Sequence, residues 1–147
     1  MGFTMAKTQR WVLAALTGSL LAYALLVAGF ELSIGLRQPE SDATLVIYTN
    51  RTGGSAHQRV LARLQHEDQL YVAVNHWPRA WYRQALEYPE VRVTVEGETG
   101  DYRAVPVGAD EHQILQQHFP LGLGARFMMG FPPRHFLRLE PLQQGPP

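Results

Sequence analysis

The stretch WVLAALTGSLLAYALLVAGF, from Trp11 to Phe30, carries no charge over twenty residues and constrains this chain more than any other feature. As a helix rising 1.5 Å per residue it is about 30 Å long, the thickness of a bilayer's hydrocarbon core. Lys7 and Arg10 precede it, Trp11 and Tyr23 are candidate interface aromatics, and Glu31, Arg37, Glu40 and Asp42 follow. The reading is a single-pass membrane anchor, residues 1–36, that meets the lipid bilayer through residues 11–30. A cleavable leader is the rival, because Ala22-Tyr23-Ala24 has the small-x-small form of a cleavage site. Against it, LLVAGF continues the apolar run past Ala24, so cleavage there would leave a sticky end; a buried soluble helix is the third reading. Lys7, Arg10 and the amino terminus before the span, against Arg37 and the more distant Arg51 after it, favour the amino terminus inside and the domain outside.

The rest of the 147 residues suffices for one domain, with 46% hydrophobic and 18% charged positions overall. Thirteen basic and thirteen acidic residues cancel. No field and no basic stripe with interleaved aromatics draws the chain to nucleic acid, which is not expected as a partner. The absence of cysteine excludes disulfides, thiolate metal sites and thiol catalysis, and says nothing about compartment.

Residues 37–43, polar and broken by Pro39, read as a linker. TLVIYTN (44–50) is a β-branched apolar run of strand length, closed by the turn-forming RTGGS. HQRVLARLQH (57–66) and QLYVAVNH (69–76) are expected to pair as a hairpin around Glu67-Asp68. Arg79 to Glu87 has helical spacing, with Trp81, Ala85 and Tyr88 on one side, and Pro89 stops it. In VRVTVEG (91–97) three valines alternate with polar residues, and Glu98-Thr99-Gly100 is expected to turn the chain into DYRAVPVG (101–108), with Pro106 at an edge or bulge. Asp110, with Gln113 three residues on, suggests a capping box for a short helix that buries Ile114, Leu115, His118 and Phe119. PLGLGARFMMGFPP is expected to be loosely ordered, before a last strand, HFLRLEPL, and a frayed tail at 143–147. Six strands with two short helices make a mainly β (α+β) domain over residues 44–142, a small antiparallel barrel or a roll with helices plugging its openings. The connections are mostly too short for a doubly wound parallel sheet.

The loop RTGGSAHQR places consecutive glycines after a strand, where backbone amides can approach an anion. Thr52 and Ser55 add hydroxyl donors, and Arg51 and Arg59 add guanidinium forks. A phosphate cradle built on Arg51, Thr52, Gly53, Gly54, Ser55 and Arg59 competes with an ordinary glycine hairpin bearing two solvated arginines, since no helix follows directly. The six histidines are scattered without metal-ligand spacing, so no metal is expected; His66 and His76 flank the expected hairpin. No nucleophile elbow and no carboxylate pair in an apolar setting is present, and no catalytic residue is singled out.

The order of strand, Arg-x-x-Gly loop, basic strand, strand, and then Trp81-Tyr82, Pro89, Val91 and Val93 resembles the deazaflavin-dependent nitroreductase and quinone reductase family, relatives of the split β-barrel flavin-binding proteins. The likeness runs from about Thr44 to Leu142. That family reads T-x-G-R-K-S-G-x-x-R in the loop and W-Y-x-N-L-x-x-N-P-x-V-x-V at the helix-to-strand corner. Thr49, Arg51, Gly54 and Arg59 match the loop. Asn50 replaces its first glycine, Thr52 its lysine, two extra residues precede Arg59, and Gln84 and Tyr88 replace the two asparagines of the corner.

The resemblance implies a split antiparallel barrel that binds a deazaflavin or FMN. The loop and Arg59 would hold the phosphate end, with Trp81 and Tyr82 walling the ring. It also implies hydride transfer to a quinone or nitro-type acceptor, and a homodimer. The segment from Arg126 to Phe136, with Phe127, Met128, Met129 and Phe131, would give an apolar acceptor site. The alternative is a tethered barrel without a cofactor, binding a hydrophobic ligand or a partner protein, which the departures at Asn50, Thr52, Gln84 and Tyr88 favour; a substrate-binding or assembly subunit of a larger membrane complex, docked through the anchor, is a third reading.

Overall fold

Alternating apolar residues on seven short strands generate one curled antiparallel sheet in the computed structural model, which describes residues 7–36, 41–50, 57–75 and 80–142. The elements are α1 (Lys7–Leu36), β1 (Thr44–Thr49), β2 (His57–Ala62), β3 (Leu64–His66), β4 (Gln69–Val74), α2 (Ala80–Glu87), β5 (Glu90–Val95), β6 (Glu98–Pro106), α3 (Ala109–His118), α4 (Leu123–Met128) and β7 (His135–Pro141). Across the sheet the order is β2-β1-β5-β6-β7-β4-β3. The two strands at its ends are neighbours in sequence, separated by Arg63 alone. The sheet therefore curls until one stretch of chain serves both edges.

The sequence suggested one continuous strand over residues 57–66, and the structure divides it. β2 pairs with β1, from Thr44↔Ala62 to Thr49↔His57, whereas β3 pairs with β4, from Leu64↔Tyr71 to His66↔Gln69. A single straight strand cannot follow both partners. At the break the Arg63 amide donates to the Ala43 carbonyl at 2.9 Å and its guanidinium pairs with Glu96. The β5–β6 turn also differs from expectation. Val95 pairs with Glu98, leaving Glu96-Gly97 as a two-residue turn with positive φ at both positions (51° and 85°), and Glu98, Thr99 and Gly100 lie in β6. Turns of that hand match strand twist, and a glycine takes the second position without strain.

Side chains that alternate inward form the main core. Leu45, Ile47, Val72, Val74, Val91, Val93, Ala104, Leu137 and Leu139 line it, and α2 inserts Trp81 and Ala85. Tyr88 leaves the expected helical stripe and is exposed, because Pro89 ends α2 before another turn can form. On the outer face of β4 and β7, Tyr71 and Phe136 pack with Leu115 of α3. The Tyr71 hydroxyl donates to Glu111 at 2.9 Å, and Arg138 bridges Glu111 and Glu140.

Two helices depart from expectation. The cap of α3 is Gly108, with no side-chain bond, while Asp110 and Glu111 occupy its first turn. Of the expected stripe only Leu115 is fully buried; Ile114 and His118 are exposed because α3 rests on the sheet along a narrow line. The segment expected to be loose contains α4. Its end is closed by amides of Gly130 and Phe131 donating back to Phe127 and Arg126 at 3.1 and 2.8 Å, with Gly130 at φ 73°. His66 approaches His118 at 4.6 Å between ring centroids; His76 lies outside the described residues.

Among the described residues α1 is the one helix long and apolar enough to cross a membrane, and its apolar stretch is not buried within the chain. Signal sequences share that length and apolarity.

Candidate functional site at the barrel mouth

One end of the curled sheet collects the chain segments that carried chemical signals in the sequence. There β1 ends at Thr49 opposite His57, β4 ends at Val74 opposite His135, and β5 begins with Glu90 opposite Arg103. Helix α2 lies at this mouth, just ahead of β5.

The inner face of α2 is apolar and anchors it. Trp81 is 4% exposed and belongs to the barrel core. The next residue, Tyr82, is half-buried at the mouth, its ring edge-on to Trp81 with centroids 6.0 Å apart. On its other side Tyr82 stacks on His135, with centroids 5.6 Å apart and planes 13° from parallel. Burial raises the Tyr82 phenol above its ordinary pKa, so it stays a neutral donor across the physiological range.

A polar tie fixes α2 to the end of β1. The buried Thr49 hydroxyl donates to Gln84 Oε1 at 2.7 Å, against 3.5 Å to the His57 carbonyl. One proton serves one partner well, and Gln84 takes it. Arg59 stands opposite Ile47 in the β1–β2 register, so it shares the inner face with Ile47 and Thr49, and it is half-buried. Arg51, Thr52, Gly53, Gly54 and Ser55 lie outside the described residues, as do Trp77 and Pro78. The cross-strand pair Thr49 and His57 flanks that loop at the mouth.

Beside His135, Arg134 joins three segments. Its Nε donates to Asn75 Oδ1 at 2.8 Å, its Nη1 donates to the Phe119 carbonyl, and its guanidinium lies 4.6 Å from the Phe136 ring centroid. Burial lowers its pKa from the usual value, but an arginine so placed stays charged. On the outer face an open groove of about 670 Å³ runs along Tyr48, Asn50, Arg92, Thr99 and Asp101, with Arg92 and Asp101 paired at 3.3 Å. Asn50, which lines that groove, directly precedes the glycine loop in sequence.

Sequence reasoning missed the Thr49–Gln84 tie, the Tyr82–His135 stack and the Arg134 clamp. Each joins residues 35 or more positions apart, or depends on a strand register, which local pattern does not carry. A partial signal existed for Thr49, a hydroxyl closing an apolar strand directly before a glycine loop.

A curled antiparallel sheet with a short helix at its mouth defines a split-barrel domain, and solved structures share this fold. A protein of unknown function from Agrobacterium tumefaciens is similar at 15% identity with a TM-score of 0.54, over 67% of this chain; the chain spans 48% of that one. An F420-H2 dependent reductase is similar at 13% identity with a TM-score of 0.55, over 67% of this chain and 94% of its own. A domain-swapped dimer is similar at 13% identity with a TM-score of 0.54, over 91% of this chain and all (100%) of its own. No curated protein matches the sequence. The family model of F420H(2)-dependent quinone reductase matches residues 24–123, more than half of the chain. The chain belongs to that family.

Proposed function

We propose that the protein is a membrane-anchored oxidoreductase that binds a deazaflavin, or FMN, at the barrel mouth and passes a hydride to an apolar quinone or nitro-type acceptor. The observation that carries this reading is the family match over residues 24–123, which includes the glycine loop, Arg59 and α2. In this reading residues 1–36 anchor the chain, 37–43 link, 44–142 form the barrel and 143–147 are a tail. The amino terminus is inside and the domain outside, and two copies form a homodimer, as the similarity to a domain-swapped dimer supports.

The mouth fits a ligand with a phosphate and a flat ring. Arg59 is a half-buried cation on the inner face, beside a loop whose Arg51, Thr52, Gly53, Gly54 and Ser55 are all suited to holding an anion. Tyr82 offers an aromatic wall, with Trp81 supporting it from the core. The bound cofactor supplies the hydride chemistry. The chain's residues bind, orient and exclude water.

One observation favours the cofactor-free alternative: Gln84, which replaces a family asparagine, is engaged by Thr49. Spectroscopic titration of the detergent-purified protein with a deazaflavin and with FMN separates the readings. We expect saturable binding of at least one, weakened about tenfold or more by Arg59→Ala, equal to a loss of about 1.4 kcal/mol. If neither cofactor binds, the oxidoreductase reading fails and the ligand- or partner-binding barrel stands.

A further inference from the structure

Three large apolar side chains stand exposed in and just after α4: Leu123 at 75%, Phe127 at 47% and Phe131 at 50%. They recur every four residues, and the rings of Phe127 and Phe131 lie 6.3 Å apart with the Arg126 guanidinium 5.7 Å from Phe131. The Tyr23 ring of α1 covers one side of Phe127, and the rest of the patch stands open. The patch adjoins α1, whose own apolar side chains are exposed along its length, including Trp11, Leu16, Leu20 and Leu25.

The contact between the two helices fixes a depth. The Tyr23 hydroxyl donates to the Phe127 carbonyl at 2.9 Å, with ring centroids 4.8 Å apart. Tyr23 lies seven residues before Phe30, the last residue of the uncharged run, or about 10 Å along a helix axis. Buried in hydrocarbon, an unpartnered phenol would be costly, and the α4 carbonyl satisfies it. That carbonyl also accepts from Gly130, so neither of its lone pairs depends on water.

The path of the chain gives an orientation. From Tyr23 to Leu36, α1 rises about 20 Å, matching the length of a six-residue strand such as β1. Eight residues after α1 ends, β1 starts at the end of the barrel opposite the mouth. Phe131, four residues before His135, is within about 14 Å of chain from the mouth.

We propose that α4 and Phe131 form a membrane-seating wedge. Resting on the anchor reading above, α1 crosses the bilayer and Leu123, Phe127 and Phe131 insert among the acyl chains of the leaflet from which the domain emerges. The barrel mouth faces the bilayer. An apolar acceptor dissolved in lipid then reaches the mouth without crossing water.

The chain has no cysteine, so single labels can be placed cleanly. Nitroxides would be attached at Leu20→Cys, Leu123→Cys, Phe127→Cys and Glu98→Cys in the full chain, reconstituted in phosphatidylcholine vesicles with a phosphatidylglycerol fraction. Collision with oxygen and with a water-soluble nickel chelate would be measured by power saturation. We expect the oxygen-to-nickel ratio at Leu20, Leu123 and Phe127 to exceed that at exposed Glu98 several-fold. Labels at Leu123 and Phe127 that behave like Glu98, with Leu20 in lipid, overturn the wedge and leave the anchor intact. An aqueous Leu20 overturns both. Leu123 is largely exposed, so its replacement guards against a result that reflects only the loss of the Phe127 ring contacts.

Discussion

Tyr71 is the residue whose protonation bears most directly on stability. Burial, with the hydrogen bond to the Glu111 carboxylate adding to it, pushes its phenol up to about 12 from 10.0. A raised folded-state pKa means that the folded chain keeps this proton while the unfolded chain loses it. The stabilisation is thus fully present below pH 10 and is lost as pH rises through about 12. Tyr71→Phe removes a hydrogen bond to a charged group, leaves Glu111 still paired with Arg138, and should cost about 1.5 kcal/mol at pH 8. Each pH unit above 10 withdraws up to about 1.4 kcal/mol from the wild type alone, so the gap should close near pH 11. Thermal melts of both proteins at pH 8 and 11 test this; a gap independent of pH would mean that the hydroxyl does not govern the titration. At this scale the sequence was partly readable. Residue type marked Arg59 and Tyr82 as candidates, but Tyr82 meets His135 only through the register of β4 with β7, and Thr49 meets Gln84 only through the seating of α2. Arg51, Thr52, Gly53, Gly54 and Ser55 remain the sequence-based part of the site.

Among the elements, α2 carries the mouth. Its eight residues are too few to be stable as an isolated helix, so it depends on burying Trp81 and Ala85 in the barrel. We expect Trp81→Ala to destabilise the domain by about 3–5 kcal/mol, whereas Arg83→Ala, on the exposed side, should change stability by less than about 0.5 kcal/mol. Denaturant titration of the two variants decides this, and similar effects of both would show that α2 does not depend on its buried face. Most strands were legible because alternation survives even in short runs, as in Val91, Val93 and Val95. The break at Arg63 was not, because bending a strand between two partners is decided by closure of the sheet rather than by the residues at the bend. The β5–β6 turn was displaced by three-residue reasoning at Glu98-Thr99-Gly100, although Glu96-Gly97 carried the shorter turn signal. In α4 the helical pair Leu123 and Phe127 and the closing Gly130 were present in the sequence but obscured by the glycines around them.

For the whole molecule, the question is how far the barrel depends on the helix that precedes it. Among the described residues neither hydrophobic core includes one from α1, and Tyr23 meets α4 through the Phe127 carbonyl and ring. Sheet closure is also internal to the barrel, since β2 and β3 are joined through Arg63 and the Ala43 carbonyl. A chain beginning at Ser41 should therefore retain one cooperative unfolding transition, its midpoint within about 5 °C of the full-length protein in the same detergent, corresponding to about 1 kcal/mol or less for a domain of this size. On the proposed anchoring by α1, it should also pass from a vesicle-bound fraction that resists high salt to one that dissociates, because the exposed side chains of α4 and Phe131 offer far less apolar surface than a spanning helix. Circular dichroism melts and vesicle flotation read the two effects separately. Loss of the cooperative transition would make α1 part of the folding unit, whereas an intact transition with unchanged flotation would place the membrane attachment in the barrel itself.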